Sequence, residues 1–161
     1  MAASISFGLG FPLLGTLAVA SDAANFGQNG DVREKYCFSG RRAVEAFHLE
    51  LDARSAKDMQ RLANKAEAAA TSLDACARNA EAPSSIENDR LRVRAADALF
   101  IAAEAHRRIG QVQQRIADLR GVLDLIGDVD SRARVRSNER LYQEAQLLQR
   151  YSRHFLVGAS V

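Results

Sequence analysis

The chain has 161 residues, 22 Lys plus Arg against 20 Asp plus Glu, a formal net charge of +2, 6% aromatic residues and no Trp. That length suits one domain, and a charge so near balance excludes the dense basic stripe of a dedicated nucleic-acid binder. Scarce aromatics and abundant Ala predict close, thin helix contacts in place of a bulky core, so the helices are expected to need partners.

Charge is unevenly distributed. From Pro83 onward 13 Arg face 10 Asp plus Glu, a balance of +3, whereas residues 1 to 82 balance at −1. All the basic residues except Lys35, Lys57 and Lys65 are Arg, which makes bidentate contacts with carboxylate or phosphate. Ion pairs within the chain on solvated helix faces are the plainer expectation, with inter-subunit pairs or contact with DNA beside it.

Met1 to Ser21 contains no charged side chain. Phe7, Leu9, Phe11, Pro12, Leu13, Leu14, Leu17 and Val19 make this segment apolar enough to enter a membrane or an interface, while Gly8, Gly10, Gly15 and Pro12 weaken it as a rigid helix. Ala2 to Ala20 gives 19 residues, close to the roughly 20 that span a hydrocarbon core. Several copies packed through Gly and Ala would satisfy their backbones in lipid. Equally, the segment suits an assembly arm laid against neighbouring subunits. A third expectation is a secretory signal: Ala18-Val-Ala20 has the small-x-small form of a cleavage site, but the positive n-region is missing, because the first basic residue is Arg33.

Phe26-Gly-Gln-Asn-Gly30 is predicted as a hinge, with Gly27, Asn29 and Gly30 supplying the turn chemistry. Residues 1–30 are thus an apolar arm and hinge, and residues 31–161 an elongated all-α domain, a hairpin or bundle of three long helices at about 40–81, 85–126 and 131–155. In the first helix Val44, Phe47, Leu51, Ser55, Met59, Leu62, Ala66, Ala69, Leu73 and Cys76 follow three- and four-residue steps. On one straight helix Cys76 would stand roughly 50 Å from Cys37. Two free thiols, or a bond between protomers, are therefore expected, and the cysteines form no metal motif.

Ala82-Pro83-Ser-Ser85 breaks the pattern, and Ser84 or Ser85 can cap the next helix, which makes a helical hairpin the natural consequence. The second helix carries a heptad-like seam at Leu99, Ile109, Val112, Ile116, Leu119, Leu123 and Ile126, suited to pairing within or between chains and assigned to oligomer contacts. Gly110 and Gly121 are interior glycines that mark kinks. Gly127-Asp-Val-Asp130 ends or bends this helix, with Asp128 or Asp130 available to cap the third. There Leu141, Ala145, Leu148, Tyr151 and Phe155 share one side, and the apolar tail 156–161 reads as an interface peptide.

No catalytic constellation emerges. His48, His106 and His154 are far apart, none has a partner at a zinc-ligand spacing, and no Gly-rich phosphate loop follows a strand. Glu104 and His106, two apart, lie on different helical faces. Surface histidines are expected, with no enzyme activity, cofactor or metal. Arg132, Arg134, Arg136 and Arg140 fan around a helix, so they would touch phosphate non-specifically or pair with acidic groups of neighbouring subunits.

A charge-free start with Phe11, Pro12, Leu13 and Leu14, a Gly-Gln-Asn at residues 27–29, and a Gly-Arg-Arg at residues 40–42 opening a long helix succeed one another in order. A Ser-Ser break at Ser84 and Ser85 comes next, then an Arg-rich helix with Phe100-Ile101, Glu104 and Arg107-Arg108. Over about the first 115 residues this layout resembles the T7-type internal virion protein B (ejection protein) family of short-tailed bacteriophages. The resemblance implies an all-helical homo-oligomer stored in the virion interior beside portal or internal core proteins, which leaves the particle on infection and helps form a channel at the host outer membrane. The competing expectations are a secreted or periplasmic helical adaptor of a bacterial secretion system, and a purely structural virion component.

Overall fold

A computed structural model describes residues 37, 42–51, 55–78, 85–127 and 129–158. The apolar arm, its hinge and residues 159–161 of the expected tail lie outside the described residues, whereas residues 156–158 of that tail continue the last helix. Contacts divide the chain into Met1–Gly30 and Asp31–Val161, and every described residue belongs to the second unit. Among the described residues every regular element is helical and none is a strand.

Helix α1 covers 42–50. Helix α2 is Ala56–Arg78, α3 Ile86–Arg108 and α4 Val112–Ile126; a 3-10 turn at Val129–Ser131 and the short α5, Ala133–Arg136, lead into α6, Glu139–Gly158. Each of the three predicted long helices is therefore interrupted.

The first interruption comes after Leu51. Ser55 Oγ accepts a hydrogen bond from the Asp58 backbone N–H at 3.1 Å and donates to the Asp58 carboxylate, which caps a new helix. Arg108 donates to the Leu51 carbonyl, satisfying an acceptor that continuing α1 would have used. With the helix broken there, the chain reverses. Glu50 pairs with Lys65 at 3.5 Å, and Cys37 is bonded to Cys76 with Cα atoms 6.1 Å apart, so α1 runs antiparallel to α2. The expected free thiols, or bond between protomers, are corrected to a bridge within the chain. The 50 Å separation held only for a single straight helix, and the reversal removes it.

The second interruption is at Gly110, whose φ of +74° only glycine adopts without strain. Gly110 N–H donates to Arg107 O at 3.2 Å and Gln111 N–H to His106 O at 2.9 Å. These are the two bonds of a Schellman stop. α4 then turns back along α3, so that a Cβ at Gly121 would lie 2.7 Å from Leu99 Cδ1.

The expected seam is corrected accordingly: it is two short stretches folded onto each other. Leu119 and Ile126 are 1% exposed and form core within the chain, Val112 is exposed, and Val122, absent from the predicted seam, is fully buried. The third helix is divided by the turn at residues 137–138. Asn138 accepts from the Leu141 N–H at 3.2 Å and so caps α6. The capping roles expected of Asp128 and Asp130 lie outside what the structure describes.

α3 is the central element. Its Leu91, Ala95, Ala98, Ile101, Ala102 and Ala105 pack with Val44 and Phe47 of α1 and with Met59, Leu62, Ala66, Ala70 and Leu73 of α2. Its Val93 and Ala96 pack on the opposite side with Val122, Ile126, Val129, Val135, Leu141, Ala145 and Leu148. A helix covered on two sides needs small or apolar positions on both, and α3 supplies them largely with Ala, which lets its neighbours approach closely, while its charged residues cluster in its first and last turns and along the remaining face. Ser85 caps it, accepting from the Asn88 N–H at 3.2 Å. No described helix is long and apolar enough to cross a membrane.

Candidate functional site

Where α2, α3 and α4 meet beside the Gly110 reversal, three titratable side chains converge. His106, in the last turn of α3, is 1% exposed. Its Nδ1 lies 2.7 Å from Asp118 Oδ2 on α4, and its Nε2 lies 3.9 Å from Glu67 Oε1 on α2. One ligand atom from each residue falls within 4.8 Å of the others.

The local fold explains the convergence. Antiparallel return of α4 places Asp118 opposite His106, and the antiparallel α2–α3 pair places Glu67 over the ring, while Gln111, between α3 and α4, donates through Nε2 to Gln60 Oε1 of α2 at 2.7 Å. Burial pushes the Asp118 carboxyl up to about 6, opposed by its hydrogen bond to His106 and the charge of that ring, and reinforced by the negative charge of Glu67.

The expectation of surface histidines is thereby corrected at His106. Asp118 is twelve residues away across a helical reversal, outside any helix-face spacing. His48 is also paired, its Nε2 3.1 Å from both carboxylate oxygens of Asp97. With Glu45 and Arg94, whose side chains approach to 3.8 Å, this pair joins α1 to α3 in parallel orientation. The hydrogen bond to Asp97 raises the His48 pKa above its ordinary value, burial acting against it.

The predicted arginine fan is dispersed. Arg132 bonds to Asp89, which is fully buried in the first turn of α3, and thereby fastens the 3-10 turn to that helix. Arg140 pairs with Glu144 at 3.0 Å on the solvated face of α6. Arg136 is exposed and the Arg134 side chain lies outside the described residues. On α3, Arg107 and Arg108 both reach Glu104, and the hydrogen bond from Arg107 is the main reason that carboxyl is held below its ordinary range.

A second feature is an aromatic cluster on α3 and α6. Phe100 lies 6.3 Å from both Tyr151 and Phe155, and the Arg115 guanidinium of α4 sits 5.1 Å over the Phe155 ring. Leu147 and Tyr151, one turn apart, are about half exposed.

In comparisons with family models, curated proteins and solved structures, nothing matches the chain.

Proposed function

We propose that the protein is a bacteriophage internal virion (ejection) protein, stored as a homo-oligomer in the particle and used to build a channel across the host outer membrane. The observation that carries this is the join of a charge-free arm, Met1 to Ser21, to a highly charged helical body. Two further features support it. The body is a separate unit from Asp31 onward, and its α6 leaves Leu147, Tyr151 and Val157 exposed as contact area for a further copy or another virion protein.

Liposome flotation of the full-length chain beside a chain beginning at Asp31 tests the proposal. The full-length protein is expected to float and the shorter one to stay in solution. If neither floats while both remain soluble, the arm is an assembly peptide, and the purely structural virion role replaces the channel.

The secreted or periplasmic adaptor is kept as the second reading because of one observation, the Cys37–Cys76 bridge, since disulfides persist in oxidising compartments. It requires native material to begin at Ser21. Finding Ala2 at the N-terminus of that material would eliminate it.

A further inference from the structure

His106 is held firmly on one side and faces a second ligand group on the other. With Asp118 ionised, the proton in the 2.7 Å contact belongs to the ring, so Nδ1–H donates to Asp118 and Nε2 carries the free lone pair. Opposite Nε2, at 3.9 Å, stands Glu67 Oε1. Two acceptors thus face each other across a gap too wide for a hydrogen bond, with a second carboxylate behind the ring.

A positive charge in that gap would resolve the conflict. A proton on Nε2 supplies one, yet at this distance it would find no hydrogen bond to Glu67. Nitrogen and oxygen ligands that each lie about 2.0–2.2 Å from one small cation sit roughly 3–4 Å from each other, and the observed separation falls in that range. We propose that His106 Nε2 and the Glu67 carboxylate bind a divalent transition-metal ion of the zinc class, with Asp118 as the positioning residue that fixes the ring through Nδ1.

The donor set decides the class of ion. One imidazole with carboxylate suits zinc and its neighbours in the first transition row, whereas calcium and magnesium favour all-oxygen sites. A carboxylate on the far nitrogen of a ligating histidine is the usual outer-shell arrangement; it sets the tautomer and raises ligand basicity. Access is open on one side only, because the Glu67 side chain is 42% exposed while those of His106 and Asp118 are 2% and 8% exposed. Water would complete the coordination there. An ion so placed would tie α2 to the α3–α4 hairpin next to its reversal.

The test uses the full-length protein with its disulfide intact, so that no thiol competes, stripped with chelator and titrated with zinc chloride by calorimetry. Long-range proton–nitrogen NMR of the imidazoles runs alongside it. One ion per chain is expected, with the His106 Nε2 resonance shifting on saturation while those of His48 and His154 stay in place. Glu67→Gln, at a half-exposed position that removes neither partner of the His106–Asp118 hydrogen bond, should weaken binding by about tenfold or more without altering the fold. Equal affinity in Glu67→Gln and the unsubstituted protein overturns the proposal. So does a shift centred on His48 or His154, and so does the absence of binding at millimolar zinc.

Discussion

The sulfur atoms of Cys37 and Cys76 join positions 39 residues apart in sequence and fix the C-terminal turn of α2 to the N-terminal side of α1. The bridge therefore closes the antiparallel pair at the end remote from the Leu51–Ser55 reversal. Lost loop entropy in the unfolded chain makes a closure of this length worth about 4 kcal/mol in the simplest account, and measured values run about 2–4. Reduction with a thiol, or Cys37→Ser, is expected to lower stability by that amount. Urea midpoints of oxidised and reduced protein provide the check; coincident midpoints would show that the bridge contributes nothing to the fold.

The same pair shows what could be read from the amino-acid order and what could not. Val44, Phe47, Met59, Leu62, Ala66 and Leu73 lie on the predicted stripe and all reach the core, because three- and four-residue steps mark a buried helical face wherever the helix ends. Periodicity is blind to reversal. Leu51, Ser55 and Met59 keep perfect step across the break, so a helix that folds back looks like one that continues. The available signal was Ser55 followed three residues later by Asp58, a capping pair buried inside an apparently unbroken pattern. Likewise Gly110 was visible as a kink, but its positive φ, and with it the return of α4, depends on the tertiary packing. His106 and Asp118 meet only because of that return, and no local spacing announces them. The break between α2 and α3 was easier, since Pro83 carries its conformational preference in its own covalent structure, whereas Gly127 keeps right-handed helical angles, φ −52° and ψ −30°, so α4 ends there without using glycine's freedom.

The contact between His48 and Asp97 makes stability depend on pH. Their hydrogen bond raises the folded-state pKa of His48 above the unfolded value of 6.5, so the folded chain binds the proton more tightly than the unfolded one. The resulting stabilisation is fully present below that unfolded value and is lost as pH rises through the folded one. Melting temperatures of the unsubstituted protein and of His48→Gln should differ at about pH 5 and converge by about pH 8. A gap of constant size across that range would show that His48 acts through packing alone.

Gly110 and Gly121 predict unequal responses to the same substitution. A Cβ at Gly110 meets nothing within 4 Å, so Gly110→Ala is penalised only by the backbone, which must hold φ at +74°; about 1–2 kcal/mol of stability should be lost. At Gly121 the backbone is helical and Ala is intrinsically better by up to about 1 kcal/mol, but its Cβ would press on Leu99 Cδ1. That atom ends a flexible side chain and can turn aside, so Gly121→Ala should leave stability nearly unchanged. Chemical denaturation of both variants decides it. A larger loss at Gly121 than at Gly110 would mean that α4 packs on α3 too tightly for Leu99 to move.

Arg132 and Asp89 offer a direct contrast between a structural and a phosphate-binding role. Asp89 is fully buried and Arg132 is mostly covered. Removing the cation from a buried pair takes its countercharge from a desolvated carboxylate, a change that costs about 3–5 kcal/mol when the pair is wholly buried. Because Arg132 retains some exposure, Arg132→Gln should cost somewhat less, about 2–3 kcal/mol. Arg140 pairs within one turn of α6 and its side chain is 83% exposed, so Arg140→Gln should change stability by less than about 0.5 kcal/mol. If these arginines instead served to hold DNA, each variant would lower the salt-dependent affinity for a random duplex by a similar factor while leaving the thermal midpoint alone. The expected result is the reverse: a clear fall in midpoint for Arg132→Gln, none for Arg140→Gln. Loosening of the 3-10 turn from the start of α3 should accompany that fall, seen as faster amide exchange across residues 129–136.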